Sequence, residues 1–444
     1  MISTDLTQGS VWKKLVNYAI PLVLSSALQA TYGIVDMIVS GHYIGSSALS
    51  AITNSNQIMT MLTNIFIGLT TGGNILIGQL FGAKKREDCK EATVTLFTGS
   101  ILSGAVLSLV FYFLSRTMLT VMDAPTLDEA TVYLQTCTIG ILFIVGYNAC
   151  SAALRAIGNS KVPLICVAAT AVSNIVLDIL FVGPMGLGVF GAALATIIAQ
   201  AISFIVSLYF VLRDKELFGL SISNLYIRSD KLRTILRFGV PVAVQMSVGS
   251  ISWLSVTYLI NQYGQFVSAA SGVAAKIKEF CQLFISAMMN AAASMIAQCI
   301  GARELERARK VMYTAMAITV SMSLVLICIV HAIAPQLVSL FTDEAETAVY
   351  AVKNLRIEIL GQVFYASFLV YHSLALGSGH TWFAFCSSFV NCILVRIVLA
   401  VIFRHYFGLN GIYWACMIAP FSSVPIGLWY ERSNRWQRPI VRKG

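Results

Sequence analysis

Charged residues are scarce in this chain. They make up 11% of its 444 residues, whereas hydrophobic residues make up 57% and the mean hydropathy is +0.78. Soluble proteins carry roughly 25% charged residues. The ten cysteines contain no CxxC pair and the five histidines form no cluster at metal-ligand spacing, so neither a disulfide scaffold nor a zinc site is indicated. These scarcities exclude a soluble domain and leave the lipid bilayer as the solvent.

Long apolar stretches recur along the sequence, separated by short charged or Gly/Pro-containing connections. Each has about 20 residues or more, which is enough to cross a hydrocarbon core of about 30 Å as a helix. The twelve stretches lie near 15–40, 46–80, 92–114, 130–154, 162–182, 188–212, 236–261, 267–300, 311–333, 348–376, 381–403 and 410–430. We therefore predict an all-α integral membrane protein with twelve transmembrane helices.

The net charge of +10 is distributed unevenly across these spans. When the twelve spans are threaded from an inside start, 23 of the 30 Lys and Arg residues fall on the inside. The positive-inside rule then places both termini in the cytoplasm. This distribution explains the basic charge without nucleic acid, and predicts a multi-pass membrane protein.

The two halves of the sequence repeat each other. The segment ILIGQLFGAKKREDCKEA, which ends at Ala92, aligns with MIAQCIGARELERARKV, which ends at Val311. Pairs of matching residues, 219 or 220 positions apart, are Pro21 and Pro241, Gln79 and Gln298, Gly158 and Gly377, and Gly191 and Gly411. We predict two six-helix lobes related by internal duplication, in parallel orientation because six is even, with a cavity between them. Duplication in a membrane scaffold without transport is the alternative.

The predicted domains follow from the repeat. The N-lobe, helices 1–6, covers 1–212, a cytoplasmic inter-lobe linker covers 213–235, and the C-lobe, helices 7–12 with a basic cytoplasmic tail, covers 236–444. From Ser229 the linker alternates apolar and basic residues, which indicates a short amphipathic helix on the membrane surface. A solvated loop is the alternative.

Two acidic residues lie within the predicted spans of the N-lobe, where an ionisable side chain costs several kcal/mol. Asp36 in helix 1 and Asp178 in helix 5 both lie near the outer ends of their helices, so we expect them at the same depth. Asn174 precedes Asp178 by four residues and shares its helix face. Two acids that are close together in a low dielectric cannot both ionise cheaply, so the pair holds a proton, or a small cation with Asn174 and the Thr196 hydroxyl. A carboxylate that only caps or kinks its helix is the alternative.

The C-lobe does not repeat these acids. Val256 corresponds to Asp36, and Val395 lies about where Asp178 would be. Its intramembrane charges are Lys276, Lys278 and Glu279 in helix 8, Glu358 in helix 10 and Arg396 in helix 11. Lys276 and Glu279 are three residues apart and are expected to pair. Glu358 is expected to pair with Arg356 or Arg396.

Aromatic and methionine side chains are spread over helices that can face a cavity. Such side chains suit apolar or cationic ligands of loosely specified shape. The substrate-cavity candidates are Tyr32, Met59, Tyr147, Met246, Trp253, Glu279, Met288 and Tyr365. Packing between helices or against lipid is the alternative for each.

The chain resembles the multidrug and toxic compound extrusion (MATE) transporters over essentially its whole length. The resemblance rests on Pro21 at the start of helix 1, the run GIVDMIVSGHYIG, the segments GQLFGAKK and AQCIGARELERARK, the turn LRAIGNSKVP and the segment SNIVLD. It implies an antiporter that exports cationic amphipathic compounds in exchange for protons or sodium ions. The residues that look like the N-lobe ion-coupling positions of the prokaryotic branch related to the DNA-damage-inducible members are Asp36, Asn174, Asp178 and Thr196, joined by Tyr133.

The family branch that binds sodium through acids in helices 7 and 10 is matched poorly. Helix 7 has no acid between Arg237 and Gly264, and Glu358 is the only acid in helix 10. Protons are therefore favoured over sodium as the coupling ion. No cofactor is expected. The protein is expected to be a monomer, and its expected partners are organic cations and membrane lipids. A flippase for lipid-linked oligosaccharides is the nearest alternative, with Lys276, Lys278 and Arg396 as its candidate cations. An embedded enzyme is excluded because no catalytic constellation appears.

Overall fold

The computed structural model describes residues 3–44, 46–122, 126–221 and 223–437, with the side chains of 46–49 left out. Within these ranges the chain is helical and contains no strand. Twelve of the described helices are long and apolar enough to cross a membrane, as the sequence predicts. Residues 438–444 of the predicted basic tail lie outside the described residues.

We label the twelve long helices α1 to α12 in chain order. Their bounds are α1 Val11–Tyr43, α2 Ser46–Gly82, α3 Arg86–Val121, α4 Leu127–Ala156, α5 Lys161–Val182, α6 Gly188–Arg213, α7 Ser229–Asn261, α8 Gln265–Gly301, α9 Leu305–Ser339, α10 Ala345–Gly377, α11 Thr381–Phe407 and α12 Leu409–Arg432. A short helix, Lys215–Phe218, follows α6. Helix α10 contains a 3-10 turn at Ile359–Gly361, and α11 contains a π-helical segment at Val390–Ile397.

Helix α1 begins ten residues before Pro21. The sequence analysis is wrong in placing Pro21 at the start of this helix. With 33 residues the helix is about 50 Å long, because each residue adds 1.5 Å. Pro241 likewise lies inside α7, twelve residues after its first residue, Ser229. A proline inside a helix removes one backbone hydrogen bond and favours a bend there, so both repeats carry a weakened point inside the first half of their first span.

The described chain divides into two compact units by its internal contacts. The first contains Ile20–Ala243 and the residues up to Asp5, and the second contains Leu6–Ala19 and the chain from Val244 onward. In the first unit, α4 packs against α2, α3 and α6, and in the second, α8 packs against α9 and α10. In α2, α4, α8 and α10, at least two thirds of the most apolar 18-residue stretch is buried, whereas in α9 only 17% of the corresponding stretch is buried. The same helices of each repeat thus form the cores of the two units.

Small residues bring α2 and the first half of α7 into close contact within the first unit. A Cβ atom added at Gly72 would lie 2.3 Å from the carbonyl oxygen of Ile235, and one at Gly68 would lie 2.6 Å from Cβ of Ala243. Gly239 in turn lies against Gly68. Each helix contributes two small residues four positions apart, which is the pattern that lets transmembrane helices approach backbone to backbone.

The surface helix that the sequence predicts from Ser229 does not exist as a separate element. Ser229 is the first residue of α7, because the apolar and basic residues after it continue directly into the span. Ionic contacts hold this start against α3: Lys231 Nζ lies 2.5 Å from Asp88 Oδ1, and Arg228 Nη2 lies 2.7 Å from Glu91 Oε1. Asp88 and Glu91, the acidic residues that contact Lys231 and Arg228, therefore hold the start of α7 against α3.

The matching segment in the second half has a comparable structural role within the second unit. The Gln298 side-chain oxygen accepts a hydrogen bond from the Leu6 N–H at 3.0 Å. Arg307 donates to three backbone carbonyl oxygens, those of Leu6 at 3.1 Å, Gln8 at 2.8 Å and Gly9 at 2.8 Å. The repeated motif is thus a clamp that holds the segment before α1.

Candidate functional site

The two predicted acids come together in the first unit. Asp36 on α1 and Asp178 on α5 have their carboxyl groups within hydrogen-bonding reach of each other. Asp178 is only 1% exposed and Asn174, one turn earlier on α5, is only 2% exposed. The i, i+4 spacing in α5 therefore places an amide and a carboxyl group on one buried face.

Several oxygens of this cluster are buried without a donor. Asp36 Oδ1, Asn174 Oδ1 and both carboxylate oxygens of Asp178 have no hydrogen-bond partner among the described residues. Buried polar atoms are nearly always satisfied, so a group of unsatisfied acceptors calls for a bound species. A proton shared between the two carboxyl groups satisfies two of these oxygens, and a small cation is an alternative occupant for all four.

Tyr133 on α4 lies within electrostatic range of Asp36 and is almost fully buried. Its hydroxyl donates to Asn56 Oδ1 on α2 at 3.3 Å. Tyr32, one turn before Asp36 on α1, is also within electrostatic range of that carboxyl. The sequence analysis missed Asn56, although an amide inside an apolar span is a signal that could have found it.

Thr196 on α6 is more remote from the acids. Its hydroxyl donates to the Ala192 carbonyl of its own helix at 3.1 Å. It lines a cavity of about 260 Å³ in the first unit together with Asn56 and Cys137. Thr196 therefore makes no direct hydrogen bond to either carboxyl group in the described part of the chain, and shares only a cavity wall with Asn56, the hydrogen-bond partner of Tyr133.

Three candidates for substrate contact, Met59 and Tyr147 in the first lobe and Met288 in the second, occupy different environments. Met59 lines the same 260 Å³ cavity but is 8% exposed and packs in the apolar core of the unit. Tyr147 is half-buried on α4 and within electrostatic range of Tyr32. Met288, in the second unit, is 2% exposed on α8. Met288 is therefore packed between helices, which is the alternative to substrate contact given in the sequence analysis.

The second unit contains a larger cavity of about 440 Å³. Four of the predicted substrate residues line it, namely Met246, Trp253, Glu279 and Tyr365. They come from α7, α8 and α10, and α11 and α12 complete the wall. The sequence spacing alone does not bring these residues together, because they are far apart along the chain.

Charged residues of the C-lobe also line this cavity. Glu358, expected to pair with Arg356 or Arg396, instead forms an ion pair with Lys278 of α8. That expectation is wrong because the partner lies on a neighbouring helix, 80 residues away in sequence. Arg356 donates to the His331 carbonyl at 3.4 Å. Arg396 lines the cavity from α11.

The expected pair on α8 is present. Lys276 Nζ lies 3.1 Å from Glu279 Oε2, and both side chains are more than half exposed. Lys278 Nζ lies 4.7 Å from the centre of the Trp253 ring, which adds a cation–π contact to its ion pair. The basic residues of α8 are therefore each neutralised by a specific acid.

A family model decides the family of this chain, and it matches both halves. The model of the MatE family matches residues 21–180 and residues 241–402. The two matches begin 220 residues apart and together cover most of the chain, which confirms the internal duplication. The chain belongs to the MatE family. This membership confirms the resemblance drawn from the motifs, and MatE proteins are transporters rather than enzymes.

Relatives of the MatE chain include two proteins of Bacillus subtilis (strain 168). "Probable multidrug resistance protein YoeA" is 28% identical over 416 residues, covering 91% of this chain and 90% of that protein. "Probable multidrug resistance protein YpnP" is 34% identical over 310 residues, covering 68% of each. A crystal structure of MATE in the straight conformation matches with a TM-score of 0.92, 22% identity and 97% coverage of both chains. The fold is therefore that of a MATE transporter.

Proposed function

We propose that this protein is a multidrug efflux antiporter of the plasma membrane, with both termini cytoplasmic. It exports cationic amphipathic compounds by alternating access and takes up protons in exchange. The names of its relatives support multidrug export as the general activity. The observation that carries the proposed coupling is the carboxyl pair of Asp36 and Asp178, in which three of the four oxygens are buried and lack donors among the described residues.

The chemistry of the pair supports exchange of like charges. With both carboxyl groups ionised, the site carries two negative charges in a low-dielectric environment, which is costly. A proton or an organic cation near the pair each lowers that cost. Binding of one therefore weakens binding of the other, and this negative coupling drives export of a cation when protons enter. Asn174 and the hydroxyl of Tyr133 supply polar atoms beside the acids.

An ion-replacement assay tests this function. The purified protein is reconstituted into proteoliposomes, and movement of the fluorescent cation ethidium is followed under an imposed pH gradient without sodium, or a sodium gradient without a pH gradient. We expect the pH gradient alone to drive ethidium transport. Strict dependence on the sodium gradient would reverse the coupling ion, and no ethidium movement under either gradient would contradict export of cations.

A lipid flippase is the second candidate, because Arg396 adds a basic residue to the cavity of the second unit. It predicts that headgroup-labelled lipid crosses the bilayer of the same vesicles faster than in protein-free vesicles. Lipid movement without ethidium movement would favour this alternative over the antiporter.

A further inference from the structure

The cavity of the second unit has the size and lining of a ligand site. Its volume of about 440 Å³ falls within the range of about 300 to 1,000 Å³ that is common for small-molecule pockets. Aromatic rings of Trp253, Tyr365 and Phe368 form part of the wall, and amide and charged side chains form the rest. Such a mixture holds an apolar body and orients it through a few polar contacts.

Four charged residues line this cavity, the basic Lys278 and Arg396 and the acidic Glu279 and Glu358, and three of them have ion-pair partners. Lys278 pairs with Glu358, whose side chain is 6% exposed, and Glu279 pairs with Lys276. Arg396 forms no ion pair with any described carboxylate, and its Nε is buried without an acceptor. Arg396 is therefore the lining charge that lacks an ion-pair partner among the described residues, and an unpaired charge within a membrane span is costly. A carboxylate on a ligand supplies the acceptor that the Arg396 guanidinium lacks.

Unsatisfied hydrogen-bonding groups surround the guanidinium. Gln362 is 1% exposed, lines the cavity and has no acceptor for its amide nitrogen among the described residues. Asn391 is equally buried, with its side-chain oxygen unpartnered. Its amide presents N–H groups instead when it is rotated by half a turn. Glu358 Oε1 is a further unpartnered acceptor, which suits an N–H or O–H group elsewhere on the same ligand.

The backbone of α11 places Arg396 and Asn391 together. Both lie in the π-helical segment Val390–Ile397, in which residues five positions apart are brought into register by i→i+5 hydrogen bonds. In a regular α-helix of 3.6 residues per turn, residues five apart point about 140° away from each other. Such π segments occur frequently at functional sites.

Each lobe thus carries an asparagine that is followed on the same helix by a charged residue. This charged residue is acidic in the first lobe and basic in the second. In the α-helical α5, Asn174 is followed four residues later by Asp178. In the π-helical part of α11, Asn391 is followed five residues later by Arg396. Each spacing matches the local helix type, so both pairs share one helix face.

We propose that the cavity of the second unit binds the carboxylate of a small aromatic compound. Arg396 forms the bidentate contact that its planar guanidinium favours, and Gln362 and Asn391 donate further hydrogen bonds. Trp253, Tyr365 and Phe368 contact the aromatic body. This site rests on the proposed export function in one respect: it adds carboxylate-bearing compounds, zwitterions included, to the exported cations. Binding itself requires no ion gradient.

Equilibrium binding of a matched pair of fluorescent probes tests the site. The probes are dansylglycine, which has a free carboxylate, and dansylglycine methyl ester, in which the carboxylate is blocked. They are titrated into the full-length protein in nanodiscs of phosphatidylcholine. We expect dansylglycine to bind at least tenfold more tightly than its ester. Arg396→Met should weaken dansylglycine binding by about 10- to 100-fold, as expected for loss of hydrogen bonds to a charged group, and should leave the ester unchanged.

Two further variants separate the specific contact from a general effect. Arg396→Lys keeps the positive charge but loses the planar guanidinium that forms two parallel hydrogen bonds. It should therefore retain only part of the affinity for dansylglycine. Arg404→Met is the matched control, because Arg404 lies on the same helix, does not line the cavity, and contacts the Tyr263 ring at 5.4 Å. It should bind both probes as the unsubstituted protein does. The thermal unfolding midpoint of each variant verifies that it is folded.

Three results would overturn the assignment. The first is equal binding of the acid and its ester, and the second is an unchanged preference for the acid in both Arg396 variants. The third is a fall of dansylglycine affinity in nanodiscs that contain phosphatidylglycerol to the value that Arg396→Met shows in phosphatidylcholine alone, which would make the site one for lipid phosphate. Failure of proton-coupled ethidium transport leaves these outcomes untouched, because the binding assay contains no gradient.

Discussion

At the scale of single residues, the carboxyl pair is the feature with the largest predicted consequence. Asp36→Asn and Asp178→Asn each remove an ionisable group from the buried pair while they preserve its shape. We expect either change to abolish ethidium transport driven by a pH gradient, because the remaining carboxyl group no longer shares its proton with a second acid. Proteoliposome transport, at matched amounts of inserted protein, is the measurement.

Asp128→Asn is the control for both variants. Asp128 is an exposed acid that pairs with Arg116 at 3.1 Å on the surface, so its loss should not change transport. If Asp36→Asn and Asp178→Asn both transport ethidium with normal proton coupling, the assignment of the coupling site is wrong.

The Arg307 clamp is a second feature of single-residue scale. Arg307→Lys replaces a fork that contacts three carbonyl groups with a single ammonium. We expect the free energy of unfolding to fall by about 0.5–1.5 kcal/mol, because hydrogen bonds to three carbonyl groups are weakened and only that of Leu6 is partly buried. Differential scanning fluorimetry of the purified protein should show a lower thermal unfolding midpoint for this variant.

Arg303→Lys provides the comparison, since Arg303 is exposed and lies in the same turn region. It should leave the midpoint close to that of the unsubstituted protein. Equal midpoints for Arg307→Lys and Arg303→Lys would show that the clamp contributes nothing measurable.

At the scale of helices, the close approach of α2 and α7 depends on residues without side chains. Gly72→Ala places a methyl group 2.3 Å from the Ile235 carbonyl oxygen, and the backbone cannot give way easily. We expect the helices to separate and the unfolding midpoint of the purified protein to fall, with a loss on the order of 1–3 kcal/mol as for other overpacked sites.

Gly272→Ala is the matched substitution within another span. A Cβ atom at Gly272 meets no heavy atom within 4 Å, and alanine favours the helix by about 1 kcal/mol over glycine. This variant should be as stable as the original or slightly more so. A midpoint for Gly72→Ala at or above that of Gly272→Ala would contradict the tight contact.

At the scale of the whole molecule, the duplicated units share a scaffold but carry different charges. The first unit holds Asp36 and Asp178, whereas the second holds Val256 at the position that corresponds to Asp36. Val256 is fully buried in an apolar cluster. The two units therefore differ not only in the acidic residues themselves but also in the side chains that surround the corresponding positions.

Val256→Asp tests this difference between the units. A carboxylate introduced into an apolar cluster has no partner, and an uncompensated buried charge costs about 3–5 kcal/mol. We expect a much lower unfolding midpoint and a lower yield of inserted protein, with no second coupling site. Val256→Thr, which has nearly the same shape, should be tolerated far better. A stable Val256→Asp protein that transports with altered proton coupling would show that the units are interchangeable.

The sequence by itself determined the twelve spans, the duplication and the acidic cluster. Span length and hydropathy report directly on the bilayer, and the constant offset between the halves reports on the repeat. Asn174 and Asp178 were recognisable as neighbours because a four-residue spacing fixes a helix face wherever the helix packs. The family followed from motifs in order, and the family model matched both halves.

Only the tertiary structure decided which side chains from distant helices meet. The Lys278–Glu358 pair, the cavity around Arg396 and the Arg307 clamp each join residues 80 or more positions apart, and helix packing sets such contacts. The π-helical turn of α11 is equally hidden, since a local sequence that forms an α-helix needs only one extra residue per turn to become π-helical. Local periodicity therefore fixes a helix face, whereas the partner of that face depends on how the helices pack.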